Sequence, residues 1–278
     1  MSIEPIIPGL WRIPLAGDSV NVYLLRGEDG FTMLDCGYRR SAPTILRLME
    51  TAGCSKQDLR RVVISHSDLD HAGALVALRA ATNAEILAHQ REIDLIEGRC
   101  SRQWGKGIRA ALVSLAYTVC VRAQRSQKAP ALVDRSLVDG ELLEGGWTVV
   151  HTPGHTPGHI SLYHPGEELL LAGDLLGRRQ GRIHGPKRWL AADFAEAVAS
   201  VRKVAQLRPR AICFGHLSPL THVDPRSLIE LADQLERRYG HVGNPHSADR
   251  PVMDRPIRAD DSPESGEIMR MEDQNHKL

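Results

Sequence analysis

Ile64-Ser65-His66-Ser67-Asp68-Leu69-Asp70-His71-Ala72-Gly73 places four candidate metal ligands within six residues, directly after an apolar run. Arg61-Val62-Val63-Ile64 is short, β-branched and apolar, which reads as a buried strand. The polar burst therefore falls at a strand end, where a loop can gather side chains around an ion, and a helix-like run follows from Ala72 to Ala80. Two imidazoles and two carboxylates this close are costly to bury unless a cation compensates their charge and lone pairs. The plainer reading is a solvated turn that happens to be rich in His and Asp.

The neighbouring sequence favours an ordered setting. Upstream, Trp11 to Ile13, Val20 to Leu25 and Phe31 to Leu34 read as strands separated by the turn residues Gly17-Asp18 and Gly27-Glu28-Asp29-Gly30. Ser41 stands as an N-cap for a helix carrying Ile45, Leu48 and Met49, which Gly53 ends. Downstream come a strand at Glu85 to Ala88, and after Asp139-Gly140 further strands at Trp147 to Val150, Ile160 to Tyr163, Leu169 to Ala172 and Ala211 to Phe214. Asp193 caps a helix through Phe194, Ala197, Val201 and Val204, and a last helix spans about Pro225 to Tyr239. Strands alternating with helices indicate a layered α/β domain, β-rich then helical twice over.

Three later positions repeat the opening logic. His155 lies in the loop His151-Thr152-Pro153-Gly154-His155-Thr156-Pro157-Gly158-His159, Asp174 follows the strand ending at Ala172, and His216 follows the strand ending at Phe214. The ordered set HxDxDH, PGHTPGH, AGD and GH resembles the metallo-β-lactamase-fold hydrolases over residues 10–240, with HTPGHTPGH similar to the glyoxalase II and lactonase branches. The resemblance implies a four-layer αββα sandwich with a two-metal site at one edge of the paired sheets. It implies His66, Asp68 and His155 on a first metal, Asp70, His71 and His216 on a second, and Asp174 between them. Asp70 would also orient a metal-bridging hydroxide and accept its proton. The family's usual motif is HxHxDH, so Asp68 stands where a histidine is expected; the alternative to a two-metal site is that Asp68 is a weak ligand or none, which leaves a single competent site. Imidazole suits zinc, the first choice of metal, whereas the added carboxylate opens the site to iron or manganese. A carboxylate occupies the same place in the family's flavodiiron branch, but no flavodoxin segment accompanies it here.

The activity implied is hydrolysis of a small ester, thioester or lactone. The rivals are an iron-dependent oxidoreductase of the same fold, such as a sulfur dioxygenase, and a phosphodiesterase or nuclease. His184 stands in the loop after Asp174 as a candidate substrate contact, beside Arg178, Arg179, Arg182, Lys187 and Arg188, so an anionic small molecule fits. His151 and His159 read as supporting residues, and Cys36 as a packing residue.

Residues 90–135 read as a helical insertion, with Ile108, Ala111, Leu112, Leu115, Ala116, Val119 and Cys120 on one apolar stripe. No acidic residue occurs between Gly98 and Val133, while Arg99, Arg102, Lys106, Arg109, Arg122, Arg125 and Lys128 do. That run is either the solvated face of a packed helix or a positive face over the active site. The stripe also leaves room for a homodimer contact.

Composition narrows the rest. Net charge is +1, with 35 basic and 34 acidic residues, which gives no general pull toward nucleic acid or an anionic membrane. Five scattered cysteines without CxxC indicate no disulfide framework and no cysteine zinc site. With neither a signal-like N-terminus nor an apolar run long enough to span a bilayer, a cytoplasmic protein is expected. A metallo-β-lactamase-like domain is expected over 1–240. From 241 to 278 the sequence turns to Asp, Pro, Ser, Arg and Glu, which predicts a disordered tail.

Overall fold

Two faces of each central strand are apolar, and this decides the layering. The computed structural model describes residues 2–125 and 132–239, with only the backbone described for 120–125. A seven-stranded sheet runs in chain order through β1 (Glu4–Ile7), β2 (Leu10–Leu15), β3 (Val20–Arg26), β4 (Phe31–Leu34), β5 (Leu59–Ile64), β6 (Glu85–His89) and β7 (Arg135–Leu137). Its first three pairings are antiparallel, and β4 to β7 pair in parallel. A five-stranded sheet is built from β8 (Leu142–Leu143), β9 (Trp147–His151), β10 (Ile160–His164), β11 (Leu169–Leu171) and β14 (Ala211–Cys213), in the order β14-β11-β10-β9-β8. Between β11 and β14 in sequence, β12 (Gly177–Arg179) and β13 (Arg182–His184) form a separate hairpin.

Successive side chains of a strand point to opposite faces, so each strand feeds two cores. Val22, Leu24, Met33, Val62, Ile64 and Ile86 pack against Ile45, Leu48 and Met49 of α1 (Ala42–Thr51) and Leu75 and Leu78 of α2 (Leu75–Thr82). Their neighbours Tyr23, Leu25, Leu34, Val63 and Leu87 face the second sheet, meeting Trp147, Val149, Ile160, Leu162, Leu169 and Leu171. Leu170, Ile212 and Phe214 point the other way, toward α5 (Phe194–Gln206) and α6 (Pro225–Tyr239). The order is helix, sheet, sheet, helix: the expected four-layer αββα sandwich.

Local chemistry agrees with this in part. The Asp193 carboxylate accepts from the backbone N–H groups of Ala195 and Glu196, as an N-cap should. Ser41 makes no such bond; its own backbone is already helical, so its hydroxyl is not aimed at the first turn. Within the expected insertion lie α3 (Ile93–Ile96) and α4 (Ile108–Arg125), while residues 126–131 lie outside the described residues. The apolar stripe on α4 is not packed as a core-facing stripe would be. Ile108, Leu112, Leu115 and Val119 are 59–78% exposed, and the face turned inward is the smaller, more polar one of Ala110, Val113, Ser114 and Tyr117. The tail expected over 241–278 lies outside the described residues.

Candidate metal centre

The strand ends β4, β5, β11 and β14 converge on one edge of the sandwich, and the polar residues that follow them meet there. Asp35, just past β4, adopts a left-handed backbone (φ +63°) that turns its carboxylate toward the loop after β5. It accepts hydrogen bonds from Ser65 N and Ser65 Oγ, both at 2.7 Å, and from His71 Nδ1 at 2.8 Å. A carboxylate only accepts, so the His71 proton sits on Nδ1 and the lone pair of Nε2 faces the site. Because Ser65 Oγ gives its proton to Asp35, its oxygen accepts from His66 Nδ1 at 2.9 Å, which likewise leaves His66 Nε2 facing inward. His216 donates from Nδ1 to the Ser19 carbonyl and lies with Nε2 at 3.1 Å from Asp174 Oδ2.

Two groups of ligand-type atoms result, each with its members within 4.8 Å of one another: His66, His155 and Asp174, and Asp70, His71 and His216. The second is the set expected. In the first, Asp174 stands where Asp68 was expected. Asp174 faces both groups, with Oδ1 at 3.4 Å from His71 Nε2 and Oδ2 at 3.8 Å from His155 Nε2. The Asp68 carboxylate lies 3.1 Å from His155 Nε2 and 3.6 Å from His66 Nε2, but its Oδ1 is taken by a short hydrogen bond from Arg102 Nε.

Three observations test whether a cation fits. His66 Nε2, His71 Nε2 and Asp174 Oδ1 are buried polar atoms without a hydrogen-bond partner, a costly condition that a metal would relieve. Gly215 borders them: a Cβ there would collide with Asp174 Oδ1 and lie 2.9 Å from His71 Cε1, so the absence of a side chain is what lets these donors approach. The protonation balance agrees. Burial favours a neutral ring, yet Asp174 and its neighbouring carboxylates hold His71 well above the usual histidine range and His216 up to about 9. The centre thus draws positive charge to itself. At His66 burial, and after it His71, outweigh the pull of Asp68 and drive the ring down to about 3.

Supporting residues hold these loops. Glu92 is fully buried and accepts from Ser67 N at 2.8 Å and Gly158 N at 2.9 Å, tying the loop of His66 to that of His155. Gly158 comes so close to it that a Cβ would lie 2.5 Å from Glu92 N. His159 donates from Nδ1 to Thr152 Oγ1 (2.8 Å) and accepts from Asp174 N (3.0 Å), so it positions Asp174 and has no lone pair left over. His151 stacks on His89, 3.9 Å between ring centres, outside both groups. From the opposite sheet, Tyr23 Oη and Asn21 Nδ2 donate to the Phe214 carbonyl at 2.7 and 2.9 Å, bracing the turn that carries His216. A cleft of about 160 Å³ opens over the centre, where His155, Asp174 and His216 meet His184, Arg178 and Lys187.

Asp35 and Glu92 were not singled out from the sequence. Asp35 had only its strand-end position as a signal, and Glu92 had none. Arg102 was visible as one charge in a basic run, without any sign of its partner.

These features place the chain in a known class. It belongs to the metallo-beta-lactamase superfamily, whose description matches residues 15–216. It is similar to the probable metallo-hydrolase YflN of Bacillus subtilis, 28% identical over 236 residues, 77% of this chain and 87% of that protein. A hydroxyacylglutathione hydrolase of Cereibacter sphaeroides is 28% identical over 219 residues, 76% of this chain and 69% of its own. Among solved structures, TTHA1623 in a di-iron-bound form superposes with a TM-score of 0.57 at 27% identity, covering 76% of this chain and 93% of that one. Among the described residues no helix is long and apolar enough to cross a membrane.

Proposed function

We propose that the chain is a metal-dependent hydrolase of a small ester, thioester or lactone. The observation that carries this is the convergence of the partnerless buried atoms His66 Nε2, His71 Nε2 and Asp174 Oδ1 beneath an open cleft. These residues would hold a divalent cation, which when bound would supply a water of near-neutral pKa and a polarising charge for the carbonyl oxygen. Asp70, with Oδ2 at 3.8 Å from His71 Nε2 and 3.7 Å from His216 Nε2, accepts the proton of the attacking water. Asp174, with Oδ1 toward His71 Nε2 and Oδ2 toward His216 Nε2, would share the cation with these rings and is itself fixed through its backbone N–H by His159. Arg178, Lys187 and His184 line the cleft and hold an anionic part of the substrate away from the bond being cleaved. The thioester reading draws support from the relative named hydroxyacylglutathione hydrolase. Zinc is the first choice for the imidazoles; the carboxylates and the di-iron neighbour favour iron as the alternative, and with it an oxygen-using oxidoreductase.

The test is to strip the protein, reload it separately with zinc, manganese and iron, and assay thioesters, lactones and phosphodiesters. Metal-dependent cleavage of a thioester or lactone is the expected result. Metal-loaded protein that cleaves none of them refutes the hydrolase reading, and oxygen uptake with a thiol or persulfide would put the oxidoreductase in its place.

A further inference from the structure

A buried cation already stands in this cluster. The Arg102 side chain is 2% exposed and its guanidinium is held on every side. Nε donates to Asp68 Oδ1, Nη1 to the Gln103 carbonyl, and Nη2 to the Leu190 carbonyl at 3.1 Å, while the Trp104 ring lies 3.9 Å beneath the central carbon. Nη2 also lies 3.1 Å from His155 Nε2.

We infer that the Arg102 guanidinium takes the place of the first metal ion, so that the centre binds a single divalent cation on Asp70, His71 and His216 with Asp174. Asp68 is then the counterion of Arg102. This rests on reading the cluster as a metal centre.

The argument is one of lone pairs. His155 Nε2 has one position to offer, and both tautomers close it: unprotonated, it accepts a hydrogen bond from Arg102 Nη2, and protonated, it donates one to Asp68 Oδ2, 3.1 Å away. Asp68 Oδ1 is committed to Arg102 Nε. Of the three residues the resemblance assigns to the first metal, only His66 keeps a free, inward-facing lone pair. A guanidinium offers donors only, so nothing on Arg102 itself can become a ligand. A metal entering here would have to displace it from two carbonyls, a carboxylate and an aromatic face. Among the described residues no guanidinium enters the second group: His216 Nε2 meets only Asp174 Oδ2, a carboxylate oxygen that a cation would share with it, and His71 Nε2 and Asp174 Oδ1 stay partnerless. The carboxylate that departs from the family's histidine and the arginine from the insertion are thus one device: Asp68 recruits a fixed positive charge to the place of a mobile one.

The test counts metal. Full-length, tag-free protein is stripped, dialysed against excess zinc and analysed by plasma mass spectrometry, with X-ray absorption on the same samples to detect metal–metal scattering. One equivalent without metal–metal scattering is expected for the wild type. Two equivalents, with that scattering, are expected for Arg102→Met and for Arg102→Gln, each checked for native circular dichroism. Two equivalents in the wild type overturn the inference and leave the hydrolase reading standing. One equivalent in the wild type and in both folded variants also overturns it, since Arg102 then limits nothing. No zinc in the wild type overturns both readings together. Should either variant fail to fold, the other variant and the wild-type count still decide.

Discussion

Removing the Glu92 carboxylate should loosen the whole centre from a distance. Glu92→Ala leaves the backbone N–H groups of Ser67 and Gly158 without their acceptors in a region closed to water. An orphaned buried donor costs about 1–3 kcal/mol, so the two together amount to about 2–6 kcal/mol. Relief of the buried carboxylate's own desolvation offsets part of this, since burial already raises the Glu92 pKa against the hydrogen bonds that lower it. A net loss of about 2–4 kcal/mol is a large share of the roughly 5–15 kcal/mol that holds a folded protein together. Glu92→Gln keeps the shape and one acceptor oxygen but turns an NH2 group toward the other N–H, so it should lose about half as much. Urea unfolding of metal-free protein, followed by far-ultraviolet circular dichroism, reads both variants as a fall in midpoint at unchanged slope. The same variants should hold zinc more weakly, because Ser67 lies between His66 and Asp68 and Gly158 three residues past His155. A Glu92→Ala midpoint equal to that of the wild type, or a Gln variant as unstable as the Ala one, would refute this reasoning.

Two further outcomes are expected. Asp35→Asn should weaken zinc binding by about 10–100-fold, measured by competition with a chromophoric chelator, because the amide can present a donor to His71 Nδ1 and so shift the ring proton onto the nitrogen that faces the site; an unchanged affinity would show that the ring is oriented without it. His89, pushed down to about 4 by burial and then by His151, stays neutral in the fold while its unfolded counterpart titrates near 6.5. Its contribution is therefore complete above pH 6.5 and is lost as the pH falls toward 4, so urea midpoints should drop across that window and drop less in His89→Gln.

How much of this was legible in the sequence depends on distance along the chain. His66, Asp68, Asp70 and His71 announce themselves because a β-branched run stops and four ligand-type residues follow at once. His155, Asp174 and His216 repeat that grammar at later strand ends. Asp35 and Glu92 do not, since their partners lie 25 to 66 positions away and no local pattern marks a carboxylate that will be closed over by two loops. The strands β12 and β13, three residues each, are too short for alternation to register. On α4 the periodicity marks the helix correctly but not the face that meets the domain. An apolar stripe identifies the face that wants burial, but Ala110, Val113 and Tyr117 give the opposite face enough grip on the domain that Ile108, Leu112 and Leu115 remain outside.

That inversion bears on why the basic segment leading into α4 reaches the centre at all. Tyr117, on the inward face of α4, places its hydroxyl 3.4 Å from the Ser67 carbonyl and its ring at 5.0 Å from Trp104, the residue whose other neighbour is the Arg102 guanidinium. The segment leading into α4 therefore reaches the ligand loop through two aromatic rings and one arginine, rather than through a general positive field. Burial pushes the Asp68 carboxyl toward neutrality, and Arg102 beside it, together with the neighbouring His155 and His66, more than reverses that and keeps the carboxylate charged. Of all the basic residues in the run, only one whose side chain enters the core at that point could do so. A histidine at position 68 would have made Arg102 an uncompensated buried charge; the aspartate and the arginine make sense only together.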